Sequence, residues 1–582
     1  MLQKHRTTAI SINFINRRIL VLSIFVFGVA SAIGGRFFFL QILRHDVYVD
    51  LARRQQQYTV SPEPTRGTIY MRDDKTGKFV RVATTQNGYI LYLDNRTFSH
   101  DRADEVFTAL DAITPIDRGR YNTIIQKKDD PYEILKSRLT YDEGGRVLAL
   151  TIPGVGLVPH AWRLYPGDTL ASHVIGFVSH AAENPTGQYG VEKYYENELR
   201  GITRSLLQER DARGLLIALG EQFQTPSYEG QDIMLTIEPS LQQATEEELQ
   251  ELIERWRAVQ GGIIVVEPKT GKIKALAAYP FFNPNEYFVE QNFNAFLNPF
   301  VEKIFELGSV FKPITMAAAL DVGAVTPETM YVDQGEVRIG SVVIKNFDGK
   351  ARGKQTMTQV LQESLNTGAV FAMQRLGTER FREYFYRFGF GEKLGIDLPG
   401  EVAGNIKNLE STREVEFATA SFGQGIAVTP LRLTMALSSL ANGGMLMQPY
   451  VREIHSDGTF RQPMVIRQVI SPETSRTISR MLVEVVDTTL AGGAAKRPGY
   501  SIAAKTGTAQ IPRSDGRGYE ETEFLHAFFG YFPAYDARFL IFIFLERPQG
   551  VRYASQSLTE SFRSLTDFLI NYYTIPPDRA DQ

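Results

Sequence analysis

The chain is 582 residues long, with 43% hydrophobic and 22% charged residues, a globular composition that excludes a disordered chain, a collagen and a multi-span transporter. Lysine plus arginine total 63 against 66 for aspartate plus glutamate, a formal charge of −3, so the charge balance gives no footprint for nucleic acid. Cysteine is absent, which excludes disulfides, thiolate nucleophiles and cysteine-held zinc and leaves the redox compartment open.

Ile19 to Gly35 is uncharged and mostly apolar, and beyond Arg36 the apolar run resumes through Phe37–Leu40 to Leu43. Ile19–Leu43 exceeds the roughly 20 residues a spanning helix needs, with Arg36 snorkelling to the interface. Lys4, Arg6, Arg17 and Arg18 precede it, and the first acidic residue is Asp46. That bias predicts a cytoplasmic N-terminus and an exported bulk. A cleaved signal peptide is the alternative. It would need a small-x-small site followed by a break, whereas the run carries on past Gly34-Gly35. The expectation is an uncleaved single anchor over 19–43 behind a cytoplasmic tail, 1–18.

Residues 44–229 mix short β-like runs, Tyr89–Leu93 and Val147–Leu150, with charged helical stretches such as Ala103–Ala112. No catalytic constellation stands out there, and the segment reads as a spacer or binding module. Gly230-Gln231-Asp232 opens a strand, Ile233–Ile237, and then a long amphipathic helix from Pro239 to about Val259. Gly262–Val266 and Ile273–Ala278 read as a hairpin turning at Pro268-Lys269-Thr270-Gly271. Helices and strands then alternate to a last apolar strand, Phe539–Leu545, and a helix over Thr559–Tyr572. The pattern predicts one α/β domain over 230–575 and a short tail, 576–582. No internal repeat is visible.

The 8 histidines form no HxH or HExxH pattern, so no histidine-based metal site is expected, and no cofactor is expected either. There is no G-x-S-x-G elbow, and Gly353-Lys354 runs into Gln355, so there is no P-loop. A single Ser-x-x-Lys exists, Ser309-Val310-Phe311-Lys312, ahead of Pro313 and the apolar run Ile314–Leu320. It reads as the start of a helix with Pro313 in its first turn. Residues three apart share a helical face, so the Lys312 amine is within reach of the Ser309 hydroxyl. A serine needs such a base to become a nucleophile, and burial or a second cation lowers a lysine enough to serve. A surface pair at chance spacing is the bland alternative.

Ser364-Leu365-Asn366 falls in the helical stretch Thr358–Leu376. Two residues apart on a helix point in different directions, so a helix end or loop is expected, with capping as the default role. Ser11-Ile12-Asn13 shows how weak the pattern is alone. Lys-Thr-Gly occurs at Lys75–Gly77, Lys269–Gly271 and Lys505–Gly507. The first two sit among turn residues. The third, with Thr508, follows Ile502-Ala503-Ala504 and reads as an extended edge strand. There Gly507 admits a close backbone, and Lys505, Thr506 and Thr508 offer a cation and hydroxyls to a carboxylate.

Ser-x-x-Lys, Ser-x-Asn and Lys-Thr-Gly in this order resemble the signature of penicillin-binding proteins and serine β-lactamases. Glu267–Gly271, Tyr279–Asn285, Gly423-Gln424-Gly425, Thr429-Pro430-Leu431 and Ala441–Gly444 extend the likeness through the second half. Arg66–Ile69, Tyr165-Pro166, His173 with Ile175–Phe177, Gly190–Glu192 and Leu199–Gly201 resemble the non-catalytic pedestal of monofunctional class B members. The septal branch is favoured over the elongation branch from Ser421–Pro430 and Lys505–Gln510. Met71 before Arg72, Leu307 before Gly308 and Val310 after Ser309 depart from the usual pattern, and none removes a catalytic group.

The resemblance implies an α/β (α+β) transpeptidase domain of the penicillin-binding, serine β-lactamase-like fold, a β-rich dimerisation-type pedestal and one transmembrane helix. It implies a D,D-transpeptidase that cross-links peptidoglycan stem peptides, drawn from a lipid-linked precursor or nascent glycan, through an acyl-enzyme on Ser309. Lys312, held neutral partly by Lys505 and burial, takes the proton, Ser364 relays a proton to the departing D-alanine, and Asn366 holds the substrate amide and Lys312. Lys505, Thr506, Gly507 and Thr508 form the carboxylate-binding strand, and the backbone N–H groups of Ser309 and Thr508 form an oxyanion hole. β-Lactams are expected ligands. A polytopic membrane glycosyltransferase and division proteins are expected partners, and the inner (plasma) membrane the location, with the catalytic domain outside the cytoplasm. A D,D-carboxypeptidase using the same site and a non-enzymatic scaffold are the other classes.

Overall fold

The computed structural model describes residues 11–45, 47–48, 57–60, 65–127, 130, 132–179, 185–201, 206–209, 229–454, 458–513 and 518–580. Residues 1–10 of the expected cytoplasmic tail, Asp46, much of 202–228 and the last two residues lie outside these. The chain divides into two units, Met1–Pro64 with Ile202–Glu229, and Thr65–Gly201 with Gly230–Gln582.

In the first unit, Ser11–Phe38 is α-helical and continues as a π-helical turn, Phe39–Leu43. Arg17–Leu43 is long and apolar enough to cross a membrane. Ile19, Phe25, Phe27 and Ile42 are all exposed along it. At 1.5 Å per residue, 19–43 spans about 38 Å, more than the hydrocarbon core of a bilayer. A helix so apolar on every side, with its apolar window exposed among the described residues, fits a single-pass anchor. The unit also holds a short antiparallel pair, Gln57–Val60 with Leu206–Glu209.

The second unit begins with a sheet ordered Arg452–Ile454, Ile233–Leu235, Ile69–Arg72, Phe79–Leu93, Glu133–Leu139. Val155–Leu164 pairs along the outer half of the long Phe79–Leu93 strand, from Thr84↔Leu164 to Leu93↔Val155. Strands from both halves of the chain therefore share one sheet. The helices Ala103–Asp111, Arg118–Ile125 and Tyr141–Ala149 close a small core over its far end. Here one expectation is corrected. Val147–Leu150 is not a strand but the end of the Tyr141–Ala149 helix and its C-cap. Thr140 and Glu143 cap each other reciprocally, and that capping box starts a helix which buries Val147 and exposes Leu148.

The scattered pedestal motifs meet in one knot. Glu192, fully buried, takes Arg66 Nε and Arg163 Nε at 2.7 Å each, one on either carboxylate oxygen. Gly67 gives its N–H to Leu199 O at 2.8 Å, and a Cβ there would lie 2.0 Å from Gln231 O. Only glycine lets the three segments close at this point. The pedestal is keyed to the second half by side-chain to backbone bonds. Asn285 bonds both the N–H and the C=O of Tyr165, His173 Nε2 meets Ala295 O at 2.9 Å, and Tyr287 stacks on Phe177.

The main sheet has five antiparallel strands, ordered Ile273–Tyr279, Gln260–Val266, Phe539–Glu546, Tyr519–Phe532, Ala503–Pro512. Residues 539–545 are buried throughout, as an uninterrupted apolar run requires when both faces are covered. Neighbouring residues on one strand identify the two coverings. A Cβ on Gly530 would meet the Phe562 ring, whereas Tyr531 hydrogen-bonds Ser479. Adjacent strand residues face opposite ways, so helix Thr559–Tyr572 lies on one face and helix Pro472–Thr488 on the other. Ala503–Pro512 is left as an edge.

Glu246, on helix Pro239–Trp256, accepts the Ala171 N–H and the Gln242 amide at 2.7 Å each. Burial pushes its carboxyl up to about 7 from 4.5, more than these bonds hold it down. The fold favours the neutral acid, so this contribution is complete below pH 4.5 and is lost as pH rises through about 7. Glu246→Gln keeps the acceptor oxygen without the charge. It is expected to flatten the pH 5 to 8 slope of unfolding free energy and to gain about 2 kcal/mol at pH 8, discounted for partial solvent contact. Urea titrations at both pH values check this.

Candidate active site

Ser309 lies in a 3-10 turn, Gly308–Phe311, that runs into helix Lys312–Asp321 with Pro313 in its first turn. All of Lys312–Ala319 is buried, so the Ala-rich run anchors the turn in the core. Lys312 itself is 1% exposed, an amine driven into the protein by the helix that carries it.

Ser364 occupies a break. The helix end or loop expected at Ser364–Asn366 within Thr358–Leu376 is a break between two helices, Met357–Gln362 and Asn366–Leu376. Thr356 and Gln359 form a capping box at the start of the first, and Ser364 between them takes φ +54°. A non-glycine residue in that region costs about 1–3 kcal/mol and persists only where its surroundings hold it. The turn presents two Ser364 oxygens to two amines. Lys312 Nζ donates to Ser364 O at 2.5 Å and to its Oγ at 3.2 Å. Lys505 Nζ donates to the same Oγ at 3.0 Å and to Thr506 O at 3.0 Å.

A cavity of about 900 Å³ is lined by Ser309, Ser364, Asn366, Lys505, Thr506 and Thr508 among others. Six of the eight predicted site residues thus share one space, with Lys312 directly behind Ser364. Gly507 packs its backbone against the Ser309 turn. A Cβ there would lie 2.7 Å from Leu307 O and 3.0 Å from Val310 N. Thr508 Oγ1 accepts the Ala554 N–H at 3.0 Å, which leaves its own proton free to donate. Lys75–Gly77 and Lys269–Gly271 are turns, the former closed on Asp73 and the latter with Lys269 ion-paired to Asp536.

Two expected contacts are not made. No hydrogen bond joins Lys312 to Ser309 among the described residues, since the amine is turned to Ser364. Asn366, expected to hold Lys312, gives its amide N–H to Lys345 O at 2.9 Å. Sequence reasoning also missed most of the cavity wall. The hairpin Val342–Phe347, helix residues Val485 and Thr489, and Tyr519 and Tyr553 come from distant segments with no local motif. Glu306 was legible only as a neighbour of the Ser309 turn. It accepts Tyr519 OH at 2.8 Å and Gly425 N–H at 3.1 Å, and burial holds its carboxyl above its usual value.

The electrostatics separate the two lysines. Burial, then the charge of Lys505, pushes the Lys312 amine well below its usual value. Burial pushes Lys505 down to about 7. Two ammonium groups on one hydroxyl repel each other in a dry site, so Lys312 gives up its proton first. The pair thus offers a neutral amine beside a cation near neutral pH.

A serine on a helix-opening turn, two buried lysines converging on a second serine, and a Lys-Thr-Gly-Thr edge strand together define a serine-type acyl transfer site. Residues 261–567 match the penicillin binding protein transpeptidase domain and residues 61–235 the penicillin-binding protein dimerisation domain. The chain is 30% identical over 545 residues to stage V sporulation protein D of Bacillus subtilis, covering 92% of this chain and 82% of that one. It is 29% identical over 589 residues to the peptidoglycan D,D-transpeptidase FtsI homolog of Mesostigma viride, covering 96% of each. The crystal structure of penicillin binding protein 3 from Mycobacterium tuberculosis complexed with aztreonam superposes with a TM-score of 0.67 at 23% identity, covering 90% of this chain and 99% of that one. The chain belongs to the class B penicillin-binding protein transpeptidases and is a serine-type transpeptidase.

Proposed function

We propose that this protein cross-links peptidoglycan by D,D-transpeptidation through an acyl-enzyme on Ser309, as part of septal wall synthesis. The observation that carries the reading is the convergence of the Lys312 and Lys505 amines on Ser364 Oγ at the wall of the cavity that Ser309 lines. Ser309 Oγ attacks the carbonyl between the terminal D-alanines, and its proton passes to neutral Lys312. Ser364 Oγ, bonded to both amines, passes a proton to the departing D-alanine nitrogen. Protonated Lys505 and the hydroxyls of Thr506 and Thr508 hold the terminal carboxylate. The donor peptide adds as a strand along Ala503–Pro512. Backbone N–H groups of Ser309 and Thr508 stabilise the oxyanion, each worth roughly 3 kcal/mol. The amine of a second stem peptide then displaces Ser309. β-Lactams acylate the same hydroxyl.

The domain limits accompany this reading: a tail at 1–18, an anchor at 19–43, a pedestal at 44–229, the transpeptidase at 230–575 and a C-terminal tail at 576–582. The N-terminus is cytoplasmic and the catalytic domain external. A polytopic glycosyltransferase and division proteins are the membrane partners. Incubating the purified protein with a stem pentapeptide, with and without an amine acceptor, tests the activity. Aminolysis product with released D-alanine is expected. Hydrolysis alone would make it a carboxypeptidase, and no release a scaffold. Depletion in cells is expected to give filaments, and rounding would move it to the elongation branch.

Gly507→Ala tests the strand's approach to Ser309. The methyl must displace backbone, and a shift of about 1 Å costs on the order of 100-fold in rate. Slower labelling by a fluorescent penicillin that still reaches completion is expected in a time course. Lys505 sets a pH limb. Its amine is charged below about 7 and neutral above, so capture of a carboxylate weakens as pH rises through that value in the free enzyme. Lys505→Arg stays charged and is expected to abolish that descending limb in second-order acylation rates measured from pH 5 to 9.

A further inference from the structure

A buried polar cluster stands behind the Ser364–Asn366 loop, supplied by a part of the chain to which the activity assigns nothing. Asp333 ends strand Met330–Asp333 and Asn346 follows strand Val342–Lys345. Asp333, Asn346 and Thr367 are 1%, 3% and 5% exposed. The Asp333 carboxylate accepts Thr367 Oγ1 at 2.7 Å, Arg352 N–H at 2.9 Å and Gly335 N–H at 3.1 Å. It also takes the Asn346 amide N–H at 2.9 and 3.1 Å. No ion pair to Asp333 exists among the described residues. A buried anion held by neutral donors alone needs every one of them.

A carboxylate can only accept, so Asp333 fixes which way the Asn346 amide points. Its NH2 group must face Asp333, and its oxygen then faces the start of helix Asn366–Leu376. Asn346 Oδ1 accepts the Asn366 N–H at 3.0 Å and the Thr367 N–H at 3.3 Å. One residue earlier, Lys345 O takes the Asn366 side-chain amide at 2.9 Å. The two residues therefore hold Asn366 by its backbone and its side chain together. Leu365 N–H is bonded back to Val360 O at 3.0 Å, which closes the turn that contains Ser364. Ser364, at φ +54°, lies inside that closed turn and directly ahead of the held Leu365-Asn366 step.

We propose that Asn346, oriented by Asp333, is a positioning residue for acyl transfer. It fixes the start of the Asn366 helix so that Ser364 holds its strained turn against the Lys312 and Lys505 amines. The inference rests on the reading of Ser364 and Asn366 given above. An ordinary helix cap in this place would alter stability and leave the chemistry of the folded enzyme unchanged.

The test separates rate from amplitude. The full-length protein in detergent is acylated with a fluorescent penicillin, well below its unfolding temperature. The rate constant of the labelled fraction is read apart from the final extent. Asn346→Ala is expected to lower the rate constant about 30-fold at an undiminished extent, the scale of a sub-ångström misplacement. An unchanged rate constant, whatever the extent, overturns the proposal. Asn346→Ser decides the matter should Asn346→Ala yield no folded protein. Its shorter hydroxyl is expected to cost about 5-fold in rate, and a wild-type rate overturns the proposal. Asn346→Asp sets two carboxylates against each other and is expected to be slower still. Combining it with Asp333→Asn restores a donor–acceptor pair and is expected to recover at least about 5-fold of that loss; no recovery overturns the orienting role of Asp333. Ser364→Ala is run alongside. A wild-type rate there overturns the underlying reading, whereas a slow Ser364→Ala beside a wild-type Asn346→Ala overturns this proposal alone.

Discussion

Ser309→Ala is expected to leave the purified protein unlabelled by a fluorescent penicillin at any time and concentration. The wild type should carry one adduct, found by mass spectrometry on the peptide holding Ser309. Of the hydroxyls lining the cavity, those of Ser364 and Thr508 accept hydrogen bonds, the first from two amines and the second from Ala554 N–H, while those of Thr419, Thr489 and Tyr519 donate to neighbouring acceptors. Ser309 opens onto the same space from the start of a helix, where partial positive charge favours a developing anion. Labelling that persists in Ser309→Ala, or an adduct on another residue, would remove the nucleophile from the mechanism. The fold should survive the change, since the residue is only partly buried and gives up one oxygen.

Lys312→Met is expected to slow acylation by about 1,000-fold or more while leaving the protein folded. Methionine fills most of the volume of the lysine stem and removes the amine. The wild type places that amine in a dry site at 1% exposure, which costs stability and is offset by no carboxylate among the described residues. Burial and Lys505 keep it neutral, the state a proton acceptor needs. Lys312→Met should therefore be more stable than the wild type by thermal unfolding even as it loses activity. A variant that acylates within tenfold of the wild-type rate would assign the base elsewhere, to Lys505 or to a relay through Ser364.

Local signals carried the chemistry further than they carried the geometry. Ser309 and Lys312 were legible because one helical turn joins them in sequence as in space. The third Lys-Thr-Gly was separable from the other two by its neighbours alone: small apolar residues before it, against aspartates around Lys75 and a proline before Lys269. The misreading has a local cause. Val147–Leu150 looked like a strand because four apolar residues have no period to betray them, while the capping residues Thr140 and Glu143 lie outside that window. At Ser364–Asn366 the expected helix end is present, because Ser and Asn two apart could not share a helical face, and the lysines and Asn346 that hold it come from elsewhere in the chain.

Sequence by itself determined the apolar N-terminal run, the family likeness and the candidate residues that line the cavity, because each is written in neighbouring residues. Tertiary structure decided that the Lys312 amine faces Ser364 and not Ser309, and that Asn366 is held by Lys345 and Asn346. It also decided that Arg66, Arg163 and Glu192 form one knot. Each of these joins groups far apart along the chain. Such contacts depend on how separate elements pack and on which buried polar atoms still lack a partner, and no local window of sequence contains either.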